Sequence, residues 1–451
     1  MTDAEQPARF LDTWPRSADG SPRSRTGASD PKRGARLREA HRDQLAWGRI
    51  DLGAEVPDDD PVRSIWAIVE RLELAALYVP IEARDDVAGA PAIDPKILLA
   101  LWINATSDGE GSAREIGRLT SLHAAYRWLC GGVAVGYHTL SDFRSQRADV
   151  FDDLVTQVLA LLMKQGLVDL HRVAQDGTRV RASAGAGSFR RAETLEALMQ
   201  QARAHLEAVT REAADPAIGA RRAAARQRGA QQRLERLDAA LAQVAEVTAT
   251  KQRSGAKDAT VRQGSDRPTT DPDARVMKMG DGGFRPAFNV QFATTTDAAR
   301  VIVGVDVSNR GSDMGQSTPM LAQIEARTGV RPAEMLLDGG YTQHDAIDDA
   351  AAQHVTVFAP VPKPRHGDTR DPHVARDGDS HAVAAWRERM GTDAAKQIYK
   401  QRAATAETVN ADAKTHRGLD HLPVRGLGKV LGSATLFAMT YNILRLITLR
   451  G

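Results

Sequence analysis

The sequence predicts a mixed α/β sheet flanked by helices, preceded by an all-helical segment and interrupted by a helical insertion. Three observations carry this expectation. Apolar residues keep helical spacing through 58–167, a short run rich in small and β-branched residues follows at 171–182, and helical periodicity returns over 190–246 before further strand-like runs begin at 284. From there strands alternate with helices to the end of the chain, the order of a mixed sheet with helices packed against it.

The bulk numbers exclude several classes. With 451 residues, at roughly 100–200 residues per domain, two to four domains are expected. The net charge is only +2, from 60 Lys and Arg against 58 Asp and Glu, so a nucleic-acid surface has to come from local clustering. Cys130 is the single cysteine, which rules out a disulfide framework and suits a reducing interior; without a Cys partner it reads as a core thiol beside Trp128. The most apolar stretch, Leu431 to Leu449, contains Asn442 and Arg445, both costly in lipid, and reads as a packed helix. A soluble, cytoplasmic protein with no membrane partner is therefore expected.

Residues 1–50 read as a disordered basic tail, with Arg23, Arg25, Lys32, Arg33, Arg36 and Arg38 in a loose cluster. Residues 51–167 read as a helical domain of about five helices. One starts at the acidic run before Pro61, one enters through Pro95, and one opens on Ser112 as N-cap and runs to the glycine pair at 131–132. Residues 190–270 read as a helical hairpin, turning near Pro216 and Gly219, followed by a polar linker. In 168–189 and 271–451, FRPAFNVQFATTT and ARVIVGVDVSN read as a strand hairpin with its tip near Asp297, then GQSTPMLAQIEARTG as helix, AEMLLDGG as strand, HVTVFAPV as strand, and 381–418 and 425–449 as helices.

Two aspartates are placed where chemistry is expected. Asp176, in VAQDGT, and Asp338, in LLDGGY, each read as the end of a strand, and strand ends of an α/β sheet face the functional crevice. Taken alone, an Asp–Gly after a strand is a turn signal. Two carboxylates brought close repel one another, so a hard cation such as magnesium or manganese is a natural third party. Tyr399, Arg402, Glu407 and Lys414 follow at steps of three, five and seven; in an α-helix the step of five is offset by about 140°, so the four side chains do not form one stripe.

These segments resemble a bacterial insertion-sequence transposase of the DDE superfamily. VAQDGTRVRASA resembles the segment of the first family Asp, LLDGGY that of the second, and Tyr399, Arg402, Glu407 and Lys414 resemble the Y-R-E-K signature that holds the third acid. DPDARVMK at 271–278, FNVQ at 288–291, GSDMGQSTPM at 311–320, RWLCGGVAVGYHTLSDFR at 127–144, DHLPVRGLGKV and YNILRL are further matches. The resemblance implies a ribonuclease H-like domain in which Asp176, Asp338 and Glu407 hold two Mg2+ or Mn2+ ions and cut and join double-stranded DNA, the terminal repeats and a target. It implies DNA or structural contacts for Tyr399, Arg402 and Lys414. The helical domain would then recognise the element's ends, with Arg114, Arg118, Arg127, His138, Arg144 and Arg147 as candidate contacts. A homodimer or larger assembly on DNA is expected, because two ends must be held at once. The alternatives are an inactive DNA-binding relative and a metal-dependent nuclease without strand transfer.

Overall fold

Capping side chains set the helix starts of the N-terminal region. In the computed structural model, which describes residues 51–81, 83, 91–213, 219–253, 267–364 and 369–450, Asp60 accepts from the Val62 N–H at 2.9 Å and opens α1 (Pro61–Val69). The basic tail and much of the linker lie outside the described residues. Helix α2 (Ala75–Tyr78) is a single turn; Asp94 caps α3 (Pro95–Ser107), and Ser112 caps α4 (Ala113–Leu122) as expected. The helix expected from Ser112 to the glycine pair is in fact two. His123 is extended, and α5 (Ala124–Cys130) starts after it and ends at Gly131 in the left-handed region. Helices α6 (Tyr137–Gln146) and α7 (Ala148–Lys164) complete the region.

The sheet begins with β1 (Arg172–Arg181). A short β2 (Phe189–Arg190) leads into the hairpin of α8 (Ala192–Glu212) and α9 (Ala220–Arg253), which has its own small core of Leu195, Ala202, Leu237, Ala240 and Val244. The chain returns through β3 (Arg267–Pro268), paired with β2, so the expected linker ends in a strand. The main sheet then adds β4 (Arg275–Lys278), β5 (Phe284–Thr295), β6 (Ile302–Ser308), β7 (Glu334–Leu336) and β8 (Thr356–Phe358). Its order is β4–β5–β1–β7–β8, with β6 also on β5; β4, β6 and β1 run antiparallel to β5, while β1, β7 and β8 are parallel.

Alternation along the strands assigns the two faces. Val173, Met335 and Val357 join the large core shared with α1, α3, α7 and α10 (Ser317–Thr328). Ala174, Leu336 and Phe358 point the other way, onto α11 (His344–Ala352), α12 (His381–Gly391) and α13 (Asp393–Arg402). From Arg402 the helix continues through a π-helical turn (Ala403–Glu407), α14 (Thr408–Ala411) and a second π turn (Asp412–His416). The last helix, α15 (Leu427–Arg450), is long and apolar enough to cross a membrane, but 72% of its most apolar window is buried in the protein. Its polar residues explain why. The Asn442 amide exchanges two hydrogen bonds with the Ile302 backbone, at 2.9 and 2.7 Å, and Arg445 donates to the carbonyls of Ala298 and Ala299.

Candidate active site

The register between β1 and β7 places the two aspartates. The parallel pairing runs from Arg172↔Glu334 to Ala174↔Leu336 and stops there. Asp176 stands two residues past Ala174, and Asp338 two past Leu336, so both carboxylates share a face and a level. Asp176 is not at a strand end, as the sequence suggested: β1 runs on to Arg181, held by β5, and only its β7 side is open beyond Ala174. Gly177 is correspondingly no turn residue but a mid-strand one.

A cation already lies between the carboxylates. Arg402 Nη2 is 2.9 Å from Asp176 Oδ1 and 3.7 Å from Asp338 Oδ2. The Gly177 N–H donates to Asp176 Oδ1 at 2.9 Å, the Asn410 amide to Asp176 Oδ2 at 3.1 Å, and the Gly340 N–H to Asp338 Oδ1 at 2.7 Å. Burial raises the Asp176 pKa, and the charges of Asp338 and Asp313 add to that; attraction to Arg402 offsets it only in part. Burial opposes the Arg402 charge, yet Asp176, Tyr399 and Asp338 hold its pKa above the usual value.

The helix from α13 through both π turns covers this face of the sheet, and its inward residues are Ala395, Thr405, Ala406, Val409 and Ala413. Tyr399, half-buried, hydrogen-bonds Arg402, and its pKa is raised by burial first and by the aspartates. Lys414 is brought to the same side: burial lowers its pKa, Arg179 lowers it further, and Asp420 and Asp176 pull it back up. Glu407 is not brought in. It is exposed at the end of the first π turn, one position past buried Ala406, and the side chain from this stretch that touches Asp176 is Asn410. The step of five from Arg402 carries Glu407 past the inward face.

Behind the pair, on the opposite face of β1, is a polar cluster that sequence reasoning missed. Asp313 Oδ1 accepts from Asn289 Nδ2 at 2.7 Å and Gln291 Nε2 at 2.8 Å, and its Oδ2 pairs with Arg179 at 3.2 Å. Burial pushes the Asp313 carboxyl up, but these donors outweigh it and hold it below the usual range. Gln291 Oε1 accepts from the Tyr341 hydroxyl and, at 3.1 Å, from Gln175 Nε2. Burial and the facing carboxylates of Asp313, Asp176 and Asp338 keep that hydroxyl protonated. A signal was present: Asn289 and Gln291 recur at period two in the otherwise apolar FNVQF run.

Residues 365–447 match the family model "Transposase DDE domain", and residues 50–146 match "Transposase domain (DUF772)". Both matches support an insertion-sequence DDE transposase. No curated protein and no solved structure matches it. The first match contains Arg402, Glu407, Asn410 and Lys414, while Asp176 and Asp338 lie outside both.

Transposases of this type cut and transfer DNA strands with divalent metal. The residues present fit such an ion: two aspartates straddle a cation, and beside them the buried Asn410 Oδ1 has no hydrogen-bond partner. Among the described residues no group of three His, Cys, Asp or Glu side chains is close enough to hold a metal.

The basic candidates of the N-terminal region sit differently from one another. Arg114 lies over the Tyr137 ring, Arg118 pairs with Glu115, Arg127 pairs with Glu55 at 3.0 Å, and His138 stacks on Tyr137. Arg147 is bonded to the neighbouring Gln146 carbonyl. Arg144 is 5% exposed, donates to the Gly111 carbonyl at 2.6 Å and lies over Trp102, so it braces the core and does not face solvent as a DNA contact would. Cys130 is a buried free thiol whose pKa burial pushes up to about 11.

Proposed function

We propose that this transposase binds the ends of an insertion sequence and cuts and transfers their strands at the Asp176–Asp338 pair. Mg2+ or Mn2+, as two ions, is held there, with Glu407 as the third acid. The observation that carries the reading is the bracket of two register-matched carboxylates around one positive charge. When bound, the ions activate a water or 3′-hydroxyl and stabilise the leaving oxygen of an in-line attack. Arg402 holds the pair's charge balance until metal arrives and is then free to turn to a phosphate. Lys414 adds positive charge near Asp176, and Tyr399 orients Arg402.

Glu407 ends the first of two π turns, each a register fault in the helix. Shifting the first fault by one residue rotates Glu407 by about 100° towards the aspartates, which is how the Y-R-E-K reading is reconciled with its exposed position. The sheet order, three antiparallel strands continued by two parallel ones, is compatible with a ribonuclease H-like core spanning 168–189 and 271–451, with 190–270 inserted. Residues 51–167 are read as the end-recognition domain, with Arg114, Arg118 and Arg127 as its phosphate contacts. The working form is read as a homodimer or larger on DNA, in the cytoplasm.

The test is nicking of terminal-repeat DNA with Mn2+ by wild type and by Asp338→Ala. Loss of nicking in the variant supports the reading; equal nicking overturns the assigned pair. Pre-cut ends that are never joined to target DNA would make the protein a nuclease without strand transfer. A single protomer per pair of ends in light scattering would remove the dimer.

A further inference from the structure

Side chains from four sequence segments meet in one place behind the aspartate pair. Asn289 and Gln291 come from FNVQ, Asp313 from GSDMGQ, Arg179 from DGTR and Tyr341 from DGGY. We infer that Asp313 is a positioning residue for the metal-binding carboxylates, acting through Gln291 and Tyr341 on the turn that carries Asp338.

Both oxygens of the Asp313 carboxylate are already engaged. One oxygen accepts from two side-chain amides and the other from a guanidinium. A carboxylate so occupied is an anchor and is not free to hold an ion. What it anchors is visible from the two glycines beside the aspartates. A Cβ on Gly177 would collide with Asp313, Gln291 and Asn289, and one on Gly340 would meet Asp338 Oδ1 at 2.9 Å and Asp313 Oδ2 at 3.5 Å. The cluster therefore packs directly on the backbone at Gly177, next to Asp176, and reaches the neighbourhood of Gly340, two residues past Asp338.

The link to Asp338 is a chain of hydrogen bonds. Asp313 fixes the Gln291 amide by accepting from its Nε2, which leaves Gln291 Oε1 aimed at the Tyr341 hydroxyl. Tyr341 closes the 3-10 turn Gly339–Tyr341, whose Gly340 N–H holds Asp338 Oδ1. Remove the anchor and Gln291 can flip, Tyr341 loses its acceptor, and the Asp338 carboxylate loses its fixed direction. Partners that orient a metal ligand are typically worth about 10- to 100-fold in metal affinity.

The inference rests on Asp338 being a metal ligand, and the experiment separates the two claims. Mn2+ is titrated into the full chain and free Mn2+ is read by electron paramagnetic resonance, with melting temperature measured alongside. Tyr341→Phe removes one hydroxyl and keeps the ring; Asp313→Asn keeps the shape and removes the charge that holds Arg179. Both are expected to weaken Mn2+ binding about 10-fold, while Tyr341→Phe stays near the wild-type melting temperature in metal-free buffer. Asp338→Asn is expected to weaken binding more than either. Wild-type Mn2+ affinity in both Tyr341→Phe and Asp313→Asn, with loss in Asp338→Asn, overturns the positioning role alone. Wild-type affinity in Asp338→Asn overturns the reading of the metal site itself.

Discussion

Asp176 and Asp338 stand at equivalent positions on neighbouring strands, each two residues past the Ala174↔Leu336 pair that ends the parallel register, with Arg402 Nη2 at 2.9 and 3.7 Å from them. Side-chain alternation then points both carboxylates at the same covering helix. Their convergence is set by strand β1 and by the capped turn just past β7, which suits a site that must hold geometry during phosphoryl transfer.

Arg402 is the counter-charge of the unloaded site, so its removal should expose the repulsion between the aspartates. Arg402→Ala is expected to lose more than about 1 kcal/mol of stability in chelator and to recover most of it on adding Mn2+. Thermal melts with and without the ion check this; a variant as stable as wild type in chelator contradicts it.

Glu407 and Asn410 make opposing claims on the same role. If the helix shifts its π turn on loading, Glu407→Gln should cut strand cleavage by more than about 100-fold, beyond the range of an outer partner, with no change in melting temperature. Asn410→Ala should then cost less, as the loss of one hydrogen bond to Asp176. The reverse order in a cleavage assay would assign the third oxygen ligand to Asn410.

Gly177 has no room for a side chain. Gly177→Ala should destabilise the protein by about 1–3 kcal/mol, the cost of overpacking, and slow cleavage. Gly185→Ala, where a Cβ would meet nothing within 4 Å, should do neither. Urea denaturation of the two variants makes the comparison.

Asp271 links stability to pH. Its Oδ1 accepts from the Gly426 N–H and Asp273 from the Leu427 N–H, so the DPD segment caps the entry to α15. Burial, opposed by the Gly426 bond, raises the Asp271 pKa to about 6, and Oδ2 is buried without a partner. A raised folded-state pKa means that stability is greatest below the unfolded value and is lost as pH rises through 6. Asp271→Asn keeps the Gly426 acceptor and should therefore exceed wild type by on the order of 2 kcal/mol at pH 8, the two converging below pH 4. A variant weaker than wild type at every pH would show that the capping bond dominates.

The strands around the site were legible because their composition changes sharply: VAQDGTRVR, the FNVQF hairpin and MLLDGG all became strands close to where periodicity put them. The pairing of Asp176 with Asp338 was also legible, though not its cause, since the end of β7 and not the end of β1 opens the site. The single helix read across His123 was wrong because one extended residue breaks the backbone without disturbing the apolar spacing. Arg144 was misjudged because sequence does not tell a surface cation from one stacked on a buried tryptophan. The Asp313 cluster left only the polar alternation of Asn289 and Gln291 as a signal, because its members come from four distant segments, and the π turns left none because periodicity arguments assume 3.6 residues per turn.

The most direct test is a crystal of the full chain soaked in Mn2+, with anomalous-difference density calculated at the manganese edge. A peak bridged by Asp176 and Asp338, with Arg402 turned away, is the predicted result. Manganese bound elsewhere, with Arg402 still seated between the two aspartates, would contradict the account.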